Sequence, residues 1–183
     1  MDDTAKKLTD IAIARGAAHA RVIDADKVPF DPSLRQLCEM NSCGMYGKNW
    51  MCPPALGEVD DLIARTRDYK YALVYQTIGE LEDSFDYEGM EKAGEIQNAV
   101  TYGIEDDMVS LPISSFLHLA AGDCKLCPTC SKIEDEPCRH PDKARPSLSA
   151  YGVFVSKLAE LCGMKYTNGT NTVTYFGVLF YNC

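Results

Sequence analysis

Positive charge is scarce in this chain. It has 18 Lys and Arg against 27 Asp and Glu, a formal net charge of −9. No basic stripe exists, so a nucleic-acid partner is excluded as the main reading. No apolar run nears the roughly 20 residues needed to span a bilayer, so no membrane insertion is expected. Nucleotide-binding glycine motifs (GxGxxG, GxxxxGK[ST]) are missing, so a bound nucleotide is unsupported. Only three histidines are present. They offer no Ser-His-Asp arrangement. The radical-SAM cysteine spacing, three then two, does not occur. The start, Met1-Asp2-Asp3-Thr4, is acidic and has no apolar run, so a cytoplasmic chain with reduced thiols is expected.

Cysteine, by contrast, is abundant. Nine occur in 183 residues, an odd number that cannot pair completely. In a reducing compartment they argue for metal rather than disulfides. Seven fall into two compact sets. One is Cys124-x2-Cys127-x2-Cys130-x7-Cys138, and the other is Cys38-x4-Cys43-x8-Cys52-Pro53-Pro54. Three thiolates at successive x2 spacings can reach different corners of a cubane, with the fourth following shortly after. Structural zinc is the rival, but it favours two separated pairs. The reading is therefore a [4Fe–4S] cluster on Cys124, Cys127, Cys130 and Cys138. Seven residues before Cys138, where a simple two-cluster ferredoxin has three, argue against that class.

Cys38, Cys43 and Cys52 are one short of a closed site. Cys162 sits on an apolar helical stripe and reads as core. Cys183 follows a strand and could reach back; a loose terminal thiol is the simpler reading. His140 could serve either set, though a lone histidine is more often a hydrogen-bonding group. The remaining option is an iron open to water or substrate, the mark of catalytic metal sites. Between Cys43 and Cys52, the glycines of Gly44-Met45-Tyr46-Gly47-Lys48-Asn49-Trp50 let backbone amides approach a cluster. Trp50 reads as a shield against water. Lys48 reads equally as a counter-charge or an exposed lysine. The two loops are expected to be separate sites, with 71 residues between Cys52 and Cys124.

Charge is unevenly placed. Residues 80–108 hold 10 acidic side chains and one base, Lys92, which equals the whole net charge. The plainer reading is a solvated acidic helix. The sharper one is a docking face for a basic redox partner.

Hydrophobic periodicity predicts helices over 4–16, from Pro53 to Ile63, over 88–108 and from Pro146 to Cys162. Gly94 and Gly103 interrupt the third. Strands are predicted at Ala20–Asp24, Tyr69–Thr77, Ser115–Ala121 and Thr172–Tyr181. The last is apolar on both faces, as in a central strand. The order helix, strand, cysteine loop, helix, strand runs twice, which suggests a weak internal pseudo-repeat. The expected fold class is α/β: a single-domain sandwich over residues 1–183, with a small sheet covered by helices and two cysteine-rich metal loops at strand ends.

The stretches Cys38-x4-Cys43-x2-Tyr46-Gly47-Lys48-Asn49-Trp50-x-Cys52-Pro53-Pro54, Cys124 through Cys138-Arg139-His140-Pro141, Arg145-Pro146-Ser147 and Asn171-Thr172-Val173-Thr174-Tyr175-Phe176-Gly177 carry a resemblance. Together they resemble a family of predicted metal-binding proteins, domain of unknown function 2284, found largely in anaerobic bacteria and archaea. The resemblance covers nearly the whole chain and implies iron–sulfur binding. The expected function is electron transfer in the redox metabolism of an anaerobe, through one or two [4Fe–4S] clusters. The alternatives are an enzyme with an open iron on its three-cysteine cluster and a structural zinc scaffold.

Overall fold

The computed structural model describes residues 3–183. Its elements are α1 (Asp3–Ala14), β1 (His19–Asp24), α2 (Arg35–Glu39), α3 (Val59–Thr66), β2 (Tyr71–Glu80), α4 (Tyr87–Met108), β3 (Ser115–Leu119), α5 (Val155–Leu161) and β4 (Thr172–Asn182). The four strands form one antiparallel sheet in the order β1-β2-β4-β3. Exchanging the halves of the chain leaves this order unchanged, β1 for β3 and β2 for β4. Each half inserts its cysteine loop between its outer and its inner strand.

Strand alternation explains the two layers. Side chains along a strand point to opposite faces. On β2, Ala72 and Val74 face one side and Leu73 and Tyr75 the other. On β4, Phe176, Val178 and Phe180 oppose Leu179 and Tyr181. Leu8 and Ala12 of α1 and Val100 and Ile104 of α4 cover the second face. Leu62 of α3 and Leu158 and Ala159 of α5 cover the first. Both inner strands are therefore apolar on both sides, as predicted for the last one. Phe180 is fully buried, with ring centroids of Phe30 and Tyr69 at 6.4 and 6.3 Å. Burying one such side chain stabilises by about 1.5–3 kcal/mol.

Two predicted helices differ from the structure. Pro53 and Pro54 do not open one; they lie in a turn, and α3 begins at Val59. Gly57, at φ +93°, and extended Glu58 separate the turn from the helix. The predicted Pro146–Cys162 helix is split into a 3₁₀ turn, Ser149–Tyr151, and α5. Gly152 makes the break with φ +64°, and a Cβ there would lie 2.9 Å from the Asp31 carbonyl oxygen. Backbone crowding and a left-handed conformation both demand glycine. Gly103, by contrast, does not interrupt α4. Its bare backbone lets Arg15 lie across the helix and reach Asp107 at 2.7 Å.

No helix among the described residues is long and apolar enough to cross a membrane.

Candidate metal centre

The second cysteine set follows β3 closely. Ala120 bridges to Ser147, Gly122 turns the chain at φ +69°, and Cys124 begins the loop. A 3₁₀ turn, Ser131–Glu134, and Asp135 at φ +53° bring Cys138 back. Cys124, Cys127, Cys130 and Cys138 are all half-buried and line one small cavity, with His140 on its wall. Burial pushes the Cys124 thiol up. Backbone N–H groups of Leu126 and Arg145 point at its sulfur and oppose that shift. Amide donors aimed at a sulfur suit a thiolate, the form that ligates metal.

The first set is built differently from the expected strand-end loop. Cys38 lies in α2, Cys43 is exposed in the turns that follow, and Cys52 is buried. The loop closes on itself: Asn41 Oδ1 accepts from Tyr46 N at 3.0 Å, and Gly47 N donates to the Pro53 carbonyl at 2.8 Å. Burial pushes the Cys38 thiol up, and the Arg35 guanidinium opposes the rise. Arg35 is anchored on the carbonyls of Gly57 and Ala150, at 2.9 and 3.3 Å.

The two loops touch. Buried Asn49 donates from Nδ2 to the Cys124 carbonyl at 3.1 Å and accepts from Met51 N at 2.9 Å. The sole tryptophan, Trp50, is a strut as well as a cover. Its Nε1 donates to the Glu136 carbonyl at 2.9 Å, and Lys132 Nζ lies 4.7 Å above its ring. Cys52 is pushed up to about 12, by burial first and then by the charges of Asp123, Cys43, Cys38 and Cys124. Lys48 is exposed.

Among the described residues, no three His, Cys, Asp or Glu side chains are grouped to hold a metal ion. The donors nevertheless suit a thiophilic metal: four thiols on one cavity wall, and three more on an adjoining loop. Binding there must draw the sulfurs inward and release their protons, which ties uptake to pH.

The remaining two cysteines stand apart. Cys162 is buried in the core beside Leu158 and Met164, with burial pushing its thiol up to about 11. Cys183 follows Asn182, which pairs with Ser115 at the start of β3. Cys124 follows the other end of that strand. Four strand steps, about 13 Å, separate the two ends.

A buried hydrogen-bond chain supports the second loop. Arg145, whose amide faces Cys124, grips Glu105 of α4 with Nε and Nη2, both at 2.6 Å. His118 Nδ1 meets Glu105 at 2.8 Å, and His118 Nε2 meets the Tyr75 hydroxyl at 2.8 Å. Thr101 Oγ1 closes the chain 2.7 Å from Tyr75. Burial holds His118 below its ordinary value, so Nδ1–H donates to Glu105 and Nε2 accepts from Tyr75. Burial alone would raise Glu105, but its bonds from Arg145 and His118 outweigh that and hold it at about 2. Tyr75 reaches His118 by crossing β4 over Gly177, where a Cβ would lie 2.2 Å from the tyrosine oxygen. Glu105 lies in the segment 80–108, whose composition reads as a solvated acidic helix. Nothing local marks it otherwise, because its partners come from 13 and 40 residues away.

No curated protein and no solved structure compared with the chain matches it. A family model does, over residues 21–181, and it spans both cysteine sets. The chain belongs to the predicted metal-binding protein family DUF2284.

Proposed function

We propose that this protein carries [4Fe–4S] clusters on Cys124, Cys127, Cys130 and Cys138 and on Cys38, Cys43 and Cys52, and transfers electrons in the redox metabolism of an anaerobe. The observation that carries the reading is the cavity lined by all four cysteines of the second set, with two backbone amides on the Cys124 sulfur. A bound cluster would supply one-electron storage. The chain's own residues hold the loops and tune them. Asn49 and Trp50 keep the first loop against the second, and Arg145 sets the amide that faces Cys124.

A second reading rests on the positions of Cys162 and Cys183. One is in the core, and the other lies beyond the far end of β3. The first set then keeps three thiolates, and one iron is left for a substrate.

A basic redox partner would dock on residues 80–108. Glu105 and Asp107 are already engaged, by Arg145 and Arg15. Asp86 caps α4 through Gly89 N at 2.8 Å. The docking charges are therefore Glu80, Glu82, Asp83, Glu88, Glu91, Glu95 and Asp106. Anaerobic protein reduced with dithionite should bleach reversibly, give an EPR signal and pass electrons to a basic acceptor such as cytochrome c. That rate should fall as salt shortens the screening length to about 10 Å at 0.1 M. A rate indifferent to salt and to neutralising Glu80, Glu82 and Asp83 contradicts the docking face. Absence of reversible reduction contradicts electron transfer.

A further inference from the structure

A cavity of about 360 Å³ lies between α4 and the turn that enters the second cysteine loop. That volume is within the range of small-molecule sites, about 300–1,000 Å³. Tyr87, Met90 and Tyr175 form apolar walls, and Tyr175 is fixed through its hydroxyl to the Met90 carbonyl at 3.1 Å.

Two features of α4 lack a reason in the fold and gain one from this cavity. The first is Gly94. A glycine inside a helix costs about 1 kcal/mol relative to alanine. Gly79 is forced, since a Cβ would strike Ala93 at 2.5 Å, and at Gly103 a Cβ would displace the Arg15 side chain, 2.8 Å away. A Cβ on Gly94 meets only the Tyr175 ring and hydroxyl, at 4.0 Å. Packing does not require the glycine; an open cavity wall does. The second is the pair Glu91 and Glu95, exposed and four residues apart on one face. Like charges at that spacing destabilise a helix by a few tenths of a kcal/mol, about 0.2–0.5. Neither forms an ion pair among the described residues. Asp123, on the opposite wall, is met by Lys125 at 3.3 Å. Three carboxylates against one ammonium leave the lining at a net charge of −2.

We propose that this cavity binds a small organic cation, a primary amine on an aromatic or apolar body. The ammonium sits between Glu91 and Glu95, and the body lies on Tyr87, Met90 and Tyr175. Asp123 is both a wall of the cavity and the neighbour of Cys124, so a bound amine lies beside the candidate metal centre. The site does not depend on which metal that centre holds.

The test uses the full chain as purified with its metal. Calorimetric titrations compare phenethylamine with phenylacetate, a probe of similar size and opposite charge. Phenethylamine should bind saturably and phenylacetate should not. The double variant Glu91→Gln/Glu95→Gln should weaken phenethylamine at least about tenfold. Gly94→Leu, a substitution the helix favours, should abolish binding by filling the cavity. Circular dichroism checks that both variants keep the fold, and if Gly94→Leu loses it the glutamine variant decides alone. No saturable phenethylamine binding, equal binding of the two probes, unchanged affinity in the glutamine variant, or binding of polylysine without the small amine would each overturn the proposal. Metal content measured on the same samples reports on the cluster reading separately.

Discussion

Changing Cys127 to Ser is expected to remove the iron and sulfide of the second set entirely and to leave those of the first. Serine keeps the shape but offers a hydroxyl that stays protonated near neutral pH, where a cubane needs thiolates. Cys127 is chosen because neither hydrogen bond from Asn49 or Trp50 to the second loop falls on it, whereas Cys124 receives Asn49 on its own carbonyl. The companion variant Cys162→Ala should keep all of its metal, since that side chain is in the core beside Leu158. Metal analysis on both variants, with circular dichroism as the check on folding, decides the matter. Loss of all metal in folded Cys127→Ser protein would show one shared centre instead of two. The contact between the loops makes that a sharp alternative: 71 residues of sequence between them predicted separate sites, and Asn49 and Trp50 bring them together.

Glu105→Gln should destabilise the chain markedly, because Arg145 and His118 both bond its carboxylate. The carboxyl is held at about 2, against 4.5 for an unperturbed group. A shift of that size corresponds to stabilisation on the order of 3 kcal/mol at neutral pH, at about 1.4 kcal/mol per unit. Because the folded value is depressed, this stability is fully present above about 4.5. It is lost as pH falls from there toward 2. Glutamine cannot carry the charge, so Arg145 is left half-buried without its counter-ion. Urea denaturation of the wild-type and variant chains should differ by roughly that amount at pH 7 and converge as the pH approaches 2. A constant difference across this range would mean that the ion pair with Arg145 is not its source. The same variant should loosen the segment that presents the Arg145 amide to Cys124.

The gathering of Cys124, Cys127, Cys130 and Cys138 on one cavity was legible because close spacing in sequence keeps them on one loop. β4 was legible because apolar residues on both faces of a strand admit only a central place. Other features were hidden for identifiable reasons. The stripe from Leu148 to Cys162 has helical spacing throughout, yet Gly152 turns left-handed against the Asp31 carbonyl, a contact made 121 residues back in the chain. Pro53 and Pro54 look like a helix start, but Gly57 sends the backbone out of the helical region before α3 begins. Glu105 and His118 read as one of many acids and one of few histidines. Their role exists only because Gly177 lets Tyr75 pass over β4 and because Arg145 returns to α4. Asn49 sits inside a motif, but its partner is a backbone carbonyl of the other loop, which no side-chain pattern can announce.

On the proposed reading the two loops hold iron–sulfur clusters. Protein purified without exposure to oxygen and assayed for iron, acid-labile sulfide and zinc tests it most directly. Iron and sulfide are expected in equal amounts, about four of each per loaded loop, with little zinc. Stoichiometric zinc with no sulfide would contradict it.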